Sequence, residues 1–391
     1  MDIRFAKVLI IEPDLSGSEE RGHVRQGVRY LEEILDEYFP EAEGEIYISG
    51  SNSFQTTLRK FKPFEISPSS LMEFSPINFR RRLASEILHT KLGAITSRSR
   101  VARLITSENL WNTILASTQM ESDKNQLIVL QNLEHIFLPS LKLPSNVFLA
   151  LRFISKPSKK NEKDFLFAIK ELCRKNPGRV HIAFENIKTR IWFENNSESI
   201  SSFHVPWFGL VRNDGKSQTQ EKKEVIIFPG GQRKEKGIMD IPGIIRGINS
   251  RSNRIYEFKL QYSRDFPEVF KRLEIENNVN VLPEFIPHSD YLSEILYAKI
   301  GILPYEESNY LWTGSGVMAD CIASGTYLVA PAQTAIGYEI EKFSLGQTYV
   351  VADEVSKLIE EVSLETYGLA RSYYLEHSKS ELKNWLAFTV N

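Results

Sequence analysis

A glycine-rich turn followed by basic residues, 228–237, has the residue types that point most directly to ligand chemistry. Gly230 and Gly231 allow a backbone to approach a ligand closely. Arg233 and Lys236 lie three residues apart, so that both cations can reach one anion. The spacing predicts a phosphate or diphosphate ligand, and a solvated basic loop around a glycine turn is the alternative.

A second glycine-containing turn, 312–319, satisfies the G-x-G-x-x-A pattern of dinucleotide-binding loops. The residues before it, 306–310, are polar rather than strand-like, so that the pattern does not favour a nicotinamide cofactor. Ser315, Gly316 and Val317 still begin a predicted helix, whose free N–H groups carry a partial positive charge suited to an anion. An ordinary helix start capped by Ser315 is the alternative.

Asp320 lies about one helical turn beyond Ser315, where its carboxylate could accept hydrogen bonds from the ribose of a nucleotide held at the turn. A plain solvated carboxylate on the helix is the alternative. Both glycine turns follow predicted strands of one parallel sheet, and such turns meet at one edge of the sheet. The sequence therefore predicts a single nucleotide site built from both.

Acid–base chemistry is predicted near the end of the first strand, where Glu12, Asp14 and His23 are the candidates. A histidine can take a proton from a hydroxyl near neutral pH, and a carboxylate can do so where burial raises its pKa. His23 as an ordinary first residue of a helix is the alternative. The sequence contains no HExxH, paired-ligand or Asp-x-Asp spacing, so no metal site or other cofactor is predicted.

The elements that would position these residues alternate between strand and helix. An apolar strand over 7–11 precedes an amphipathic helix that begins near Gly22, and the alternation restarts after residues 211–224, which contain almost no large apolar side chain. Strands alternating with helices predict α/β domains with parallel sheets. Residues 51–80 are poor in regular signals, and we interpret them as an irregular excursion.

The predicted domains follow from that alternation. An acceptor-side domain covers 1–210, a linker covers 211–224, and a nucleotide-binding domain covers 225–365. Residues 366–391 are predicted to form a helix that packs back toward the first domain.

Four motifs together resemble the donor half of GT-B glycosyltransferases, in particular the group 1 or family 4-like enzymes. They are Gly230-Gly231-x-Arg233-x-x-Lys236-Gly237, Ile302 to Tyr305, Tyr310-x-x-x-x-Ser315-Gly316-Val317 and Ala323 to Val329. Gly22-His23 is similar to the glycine-rich loop of the acceptor half. The resemblance implies an α/β fold of two Rossmann-like parallel-sheet domains that face a central cleft.

The resemblance also implies a metal-independent, hexosyltransferase-like activity that uses a nucleotide diphosphate-sugar donor and a hydroxyl acceptor, in bacterial glycan or polysaccharide synthesis. Arg233, Lys236 and the 315–317 turn would bind the donor diphosphate, and Asp320 would meet a sugar or ribose hydroxyl. The main chain at Phe285 and Ile286 would contact the nucleobase.

Two positions depart from the family: Trp312, where retaining members carry an acidic residue, and Thr313, where related sequences carry arginine. A non-catalytic nucleotide- or sugar-binding protein with a degenerate site is therefore the alternative.

Composition narrows the class of protein. The 391 residues carry 48 basic and 50 acidic side chains, a formal net charge of −2, which argues against a general nucleic-acid binder. Two distant cysteines and the lack of a signal peptide or a long apolar segment favour a cytoplasmic protein. A basic helix predicted over 80–103 could contact the inner membrane face near a lipid-linked acceptor; a helix packed inside the domain is the alternative.

Overall fold

The computed structural model describes residues 3–12, 23–49, 61–66, 124–133, 143–197, 200–212 and 221–388. These residues fall into two compact units. One unit lies within Met1–Phe184, Trp192–Phe203 and Lys383–Asn391, and the other within Glu185–Ile191 and His204–Leu382. The domain limits predicted from the sequence stay predictions. The predicted basic helix over 80–103 lies outside the described residues.

The first unit contains a seven-stranded sheet with the strand order β3-β2-β1-β4-β5-β6-β7. The pairings from β3 through β6 are parallel. The strands are β1 (Lys7–Glu12), β2 (Glu43–Ser49), β3 (Phe61–Ile66), β4 (Gln126–Leu133), β5 (Val147–Phe153), β6 (Val180–Phe184) and β7 (Ser202–His204). The helices described between residues 23 and 212 are α1 (His23–Tyr38), α2 (Glu162–Lys175), α3 (Ile187–Asn196) and α4 (Gly209–Arg212). Of these, α4 and the first half of α3 belong to the second unit.

The sequence of β5 explains why this sheet has a layer on each face. All seven of its residues are buried, as expected for a parallel strand covered on both sides. The helix α1 contributes Val28, Leu31, Ile34 and Leu35, all essentially inaccessible to solvent. These are the apolar positions from which the amphipathic helix was predicted.

The strand β3 corrects the interpretation of residues 51–80 as an irregular excursion. Six residues of that segment form a strand paired in parallel with β2. Its sequence lacks a strand signal because Pro63 lies in the middle, opposite Ile46. Proline cannot donate to a sheet, but it is tolerated in a strand at the edge, and β3 is the outermost described strand on its side.

The second unit contains a six-stranded parallel sheet with the order β10-β9-β8-β11-β12-β13. Its strands are β8 (Lys223–Phe228), β9 (Glu257–Gln261), β10 (Val279–Leu282), β11 (Ala298–Ile302), β12 (Tyr327–Pro331) and β13 (Gly346–Tyr349). Its helices are α5 (Ile241–Arg251), α6 (Pro267–Leu273), α7 (His288–Tyr297), α8 (Glu307–Tyr310), α9 (Gly316–Ala323), α10 (Ala335–Phe343), α11 (Val355–Glu360) and α12 (Leu364–Leu386), with short 3₁₀ turns at Lys234–Lys236 and Ala352–Glu354.

The strand order of the second unit reverses at one place. The chain begins at β8, moves outward through β9 and β10, and then returns to the other side of β8 with β11. Ligands of doubly wound sheets bind outside the carboxyl ends of the strands at this switch point. The loops after β8 and β11 are therefore the expected site, and they contain both glycine turns singled out in the sequence.

Within the described part of the chain, no helix combines the length and hydrophobicity needed to span a bilayer. Phe388, just after α12, packs edge-on against Phe5 and Phe148 of the first unit. The ring of His181 stacks on the same phenylalanine at 3.9 Å between centroids. Phe388 thus completes an aromatic cluster with residues of the first unit.

Candidate functional site

Hydrogen bonds from one of its own side chains stabilise the turn after β8. Gly230 adopts a left-handed conformation with φ of 85°, which favours glycine. The buried amide of Gln232 donates from Nε2 to the carbonyl oxygens of Phe228 and Gly230, each at 2.9 Å. Gly231 has open space where a β-carbon would lie. The turn is therefore rigid, with room beside it for a ligand.

Lys236 ends the 3₁₀ turn and its ammonium group lies beside Gly230. A β-carbon added to Gly230 would come within 2.9 Å of Lys236 Nζ and 3.1 Å of Val317 Cγ2. The lysine is only 9% exposed, and its Nζ lies 5.7 Å from the centre of the Tyr305 ring. These contacts bring the predicted residues Gly230, Lys236 and Val317 together.

The charge of Lys236 has little compensation from the described residues. No carboxylate of these residues lies within ion-pair distance of its Nζ, and the nearest described aromatic contact is the Tyr305 ring. Burial, with a smaller contribution from the Arg233 charge, lowers the pKa of Lys236 to about 8, and the charges of Glu235 and Asp320 oppose this shift. A buried ammonium without an anionic partner is costly unless a ligand supplies the anion.

The loops after β8 and β11 are fixed against each other. Gly237 has φ of 75°, and a β-carbon there would lie 1.7 Å from the carbonyl oxygen of Pro304. The backbone N–H of Glu306 donates to the carbonyl oxygen of Glu235 at 3.0 Å. This close approach requires glycine at 237, and the helix α5 begins after it, at Ile241.

The helix α9 begins at the predicted glycine–serine turn. Ser315 is its N-cap, and the serine Oγ accepts a hydrogen bond from the N–H of Met318 at 3.3 Å. The N–H groups of Gly316 and Val317 belong to the first turn, where a helix provides no backbone acceptor. Ser315 and Gly316 are partly exposed, so this helix end can accept an anion.

Arg233 differs from Lys236 in being exposed. Its side chain is 60% accessible, and its Nε lies 3.0 Å from Glu235 Oε1. Burial raises the pKa of Tyr310, and the neighbouring Arg233 guanidinium counteracts that shift. Arg233 therefore lies near Tyr310 in the segment after β11. An anionic ligand could replace Glu235 as the partner of its guanidinium.

Asp320 is buried within the α9 helix rather than solvated. Burial raises the pKa of its carboxyl group to about 7, against the opposing effects of the Tyr291 hydroxyl and the Lys236 ammonium. Only 7% of the residue is exposed. Its coupling to Lys236 places the carboxyl group next to the predicted phosphate site, and contact with ribose stays a prediction.

Phe285 and Ile286 follow β10 and differ in their surroundings. Phe285 is half-exposed, and the guanidinium carbon of Arg264 lies 5.7 Å from the centre of its ring. Arg264 is held in turn by Glu284, with an Nη2–Oε2 distance of 2.8 Å. Ile286 packs against the hydrophobic core of the second unit. Their contact with a nucleobase stays a prediction.

The predicted acid–base residues belong to the first unit. His23 is the first residue of α1, as the sequence predicts, while Asp14 lies outside the described residues. Their catalytic roles stay predictions. Within the described residues, no group of three or more histidine, cysteine, aspartate or glutamate side chains could hold a metal ion.

Sequence reasoning missed the segment that supports the second glycine turn. The carbonyl oxygen of Trp312 accepts hydrogen bonds from Asn186 Nδ2 at 2.9 Å and Thr189 Oγ1 at 3.1 Å. Lys188 Nζ lies 5.1 Å from the centre of the Trp312 ring. An asparagine two residues after the strand β6 was the available signal, but nothing in its spacing connects it to a turn more than 100 residues later.

Comparisons with solved structures identify the fold. The Escherichia coli protein described as trehalose-6-phosphate bound with UDP-2-fluoro glucose is similar at a TM-score of 0.57 and 11% identity, over 97% of each chain. A Burkholderia xenovorans trehalose-phosphate synthase (UDP-forming) in complex with glucose-6-phosphate matches at a TM-score of 0.56 and 10% identity, over 97% of this chain and 98% of the other. The N-terminal domain of a Candida albicans trehalose-6-phosphate phosphatase matches at 0.58 and 10%, over 97% and 94%.

Neither a protein-family model nor a curated protein sequence matches this chain. At about one residue in ten identical, the structural likeness establishes the fold alone. It is the fold of GT-B glycosyltransferases, with two Rossmann-like units. The predicted fold class of two α/β, Rossmann-like parallel-sheet units is confirmed, as is the resemblance at the level of the fold. The central cleft between them stays a prediction.

Proposed function

We propose that this protein is a glycosyltransferase that moves a sugar from a nucleoside diphosphate-sugar to a hydroxyl group of an acceptor. The observation that carries the proposal is the buried Lys236 ammonium beside Gly230 and Val317, which has no carboxylate within ion-pair distance among the described residues. It lies at the switch point of a parallel sheet, next to the first turn of α9. These features fit a diphosphate.

The same groups fit the chemistry of sugar transfer. When the bond between the anomeric carbon and the diphosphate oxygen breaks, negative charge grows on the leaving diphosphate. Preorganised cations and N–H groups that stabilise this charge lower the barrier without reorganising. Lys236, Arg233 and the N–H groups of Gly316 and Val317 would supply that stabilisation in place of a metal ion.

The acceptor hydroxyl must lose a proton as its oxygen attacks the anomeric carbon. His23 or Asp14 would take that proton, because both lie near the carboxyl end of β1 in the sequence. Among the similar solved structures, one contains UDP-2-fluoro glucose and another glucose-6-phosphate. A UDP-sugar donor and a sugar or sugar-phosphate acceptor are therefore the first substrates to test, with glycan and lipid-linked acceptors next.

The test is a thermal-shift panel of UDP, GDP, ADP, CMP and NAD on the full chain. A ligand present at 100 times its Kd stabilises a protein by about 2.7 kcal/mol. We expect one nucleoside diphosphate to raise Tm, and the matching nucleotide-sugar to be hydrolysed slowly without an acceptor and in the presence of EDTA. Stabilisation by NAD alone, or by no nucleotide, would refute the proposal.

A non-catalytic binding protein is the second candidate, and Trp312 favours it. Retaining relatives implied by the resemblance carry a carboxylate at this place, whereas here a tryptophan contacts the Lys188 ammonium. Such a protein would bind the nucleoside diphosphate in the same panel. It would show neither hydrolysis of the nucleotide-sugar nor transfer to any sugar, sugar-phosphate or lipid acceptor, which separates the two candidates.

A further inference from the structure

We propose that Arg371, assisted by Lys222, is a positioning residue for the diphosphate site, because it fixes the carboxyl end of the helix whose amino end faces the ligand. The inference rests on the proposed function. It concerns two cations that lie at the opposite end of α9 from Ser315, Gly316 and Val317, outside the residues that would touch the donor.

Arg371 projects from α12 onto the last residues of α9. Its Nε donates to the carbonyl oxygen of Ile322 at 2.5 Å, and its Nη2 donates to that of Ala323 at 2.6 Å. The residue is only 6% exposed. Burying a guanidinium is costly, and here its hydrogen bonds go to main-chain carbonyls at a helix end. The buried charge of Arg371 thus fixes the carboxyl end of α9.

Lys222, the residue before β8, reaches the same helix end. Its Nζ donates to the carbonyl oxygens of Leu296 and Ser324, each at 2.7 Å, and lies 3.1 Å from Thr326 Oγ1. A β-carbon added to Gly325 would lie 3.9 Å from both Lys222 Cε and Arg371 Nε. The two cations therefore flank the residue that follows the α9 C-cap.

Two physical effects connect this arrangement to ligand binding. The last carbonyls of a helix carry a partial negative charge, which repels an anion bound at the amino end. Cations that neutralise this charge remove that repulsion. The helix is only eight residues long, or about 12 Å, so that tethered carbonyls at one end also fix the N–H groups at the other. Both effects strengthen binding of an anion and leave binding of a neutral nucleoside unchanged.

The experiment compares Arg371→Met with Arg371→Lys and with Tyr367→Phe in the full chain. Tyr367 is the matched control because it lies one turn earlier on α12 and donates from its hydroxyl to the carbonyl oxygen of Thr326 at 2.9 Å, without a charge. Isothermal titration measures Kd for inorganic pyrophosphate, for the nucleoside diphosphate that stabilises the wild type, and for the corresponding nucleoside. Tm is measured for each variant.

We expect Arg371→Met to weaken pyrophosphate and nucleoside diphosphate binding by about five- to tenfold and to leave nucleoside binding within twofold, since helix-end charges have modest effects. Arg371→Lys should restore most of the affinity. Tyr367→Phe should lower Tm and leave all three affinities unchanged. Lys222→Met, which keeps Arg371, should show a smaller loss of the same kind if Arg371→Met does not fold.

Two results would overturn the inference. Equal weakening of nucleoside and pyrophosphate binding, or unchanged affinities with a lower Tm, would mean that Arg371 supports only the fold. If the wild type binds neither pyrophosphate nor any nucleoside diphosphate, the proposed function fails together with the inference. The wild-type measurement therefore separates a failure of the site from a failure of Arg371.

Discussion

Lys234 and Lys236 lie in one 3₁₀ turn, and their surroundings differ sharply. Lys234 is exposed, whereas Lys236 is 91% buried. Burying an ammonium costs free energy, and this burial is the main cause of the lowered pKa of Lys236, about 8. Binding sites often contain groups that destabilise the free protein and stabilise the bound ligand. Removing Lys236 should therefore raise the stability of the free protein and lower its affinity for the ligand.

Lys236→Met tests that opposition directly. We expect the variant to be about 1–3 kcal/mol more stable to urea at pH 7, because one unit of pKa shift corresponds to about 1.4 kcal/mol. Its affinity for the nucleoside diphosphate should fall at least tenfold, because a charge-assisted contact is lost. Lys234→Met is the control and should change neither quantity by much. Loss of both stability and affinity in Lys236→Met would contradict the assignment.

The pH dependence of binding has a definite sign. In the free protein Lys236 loses its proton near pH 8, and a bound diphosphate favours the ammonium form and raises that pKa. Affinity should therefore be highest below pH 8 and fall above it, by up to about tenfold per pH unit. Ionisation of Asp320, whose pKa is about 7, acts in the same direction because it adds negative charge beside the ligand.

Titration calorimetry between pH 7 and pH 9.5 measures this dependence. The Lys236→Met variant is the control, and its residual affinity should vary less over the range above pH 8. Below pH 8 the charged Lys236 should make the free wild type less stable than Lys236→Met. This difference should shrink between pH 8 and pH 10.5, because over that range the unfolded chain binds the Lys236 proton more tightly than the native protein does. A wild-type affinity that stays constant up to pH 9.5 would remove Lys236 from the site.

At the level of single residues, the sequence identified residues that the structure brings together where one local pattern carried the signal, and their roles in binding stay predictions. Gly230, Lys236 and Ser315 were identified because glycines, a basic spacing and a capping serine are local features. Gln232 and Arg371 were not, because their roles are hydrogen bonds to main-chain carbonyls that only the folded chain brings near. Burial, which separates Lys236 from Arg233, likewise depends on tertiary packing.

At the level of elements, the alternation of strands and helices predicted the second unit closely. The alternation predicted after residues 211–224 is observed as β8 to β13 with their helices, and α9 begins at Gly316, directly after the predicted capping residue Ser315. The strand β3 was missed because Pro63 interrupts its pattern. The helix α10 was missed because its buried face includes Gly337 and Glu339, which interrupt the apolar pattern expected of a buried helix face.

Gly237 tests how tightly two of these elements are joined. We expect Gly237→Ala to destabilise the protein by more than about 3 kcal/mol, since its β-carbon would lie 1.7 Å from Pro304 O and its φ of 75° is left-handed. Gly247→Ala is the control within α5, where a β-carbon meets no atom within 4 Å. That change should stabilise by about 0.5–1 kcal/mol. Urea unfolding of both variants measures the difference, and a Gly237→Ala variant as stable as wild type would refute the close approach.

For the whole molecule, the near-zero net charge conceals a local cationic site. The sequence carries a net charge of −2, yet Lys236, Arg233 and the amino end of α9 converge at one edge of the second sheet. A general nucleic-acid binder spreads positive charge over a face, whereas a nucleotide site needs only a few groups at one turn. Total charge therefore argues against the first class of protein and does not bear on the second.

We expect a bound nucleotide to protect only particular segments of the chain from amide hydrogen exchange. Saturating nucleoside diphosphate should slow amide hydrogen exchange most in residues 228–238 and 313–324, because the ligand orders both turns and removes them from local opening. Segments such as 147–153 in the first unit bury their strand completely without ligand and should change least. Hydrogen exchange followed by mass spectrometry of the full chain measures all of these peptides together. Lys236→Met at the same ligand concentration should lose the protection in both turns, and protection centred on 147–153 and 180–184 instead would place the nucleotide in the first unit.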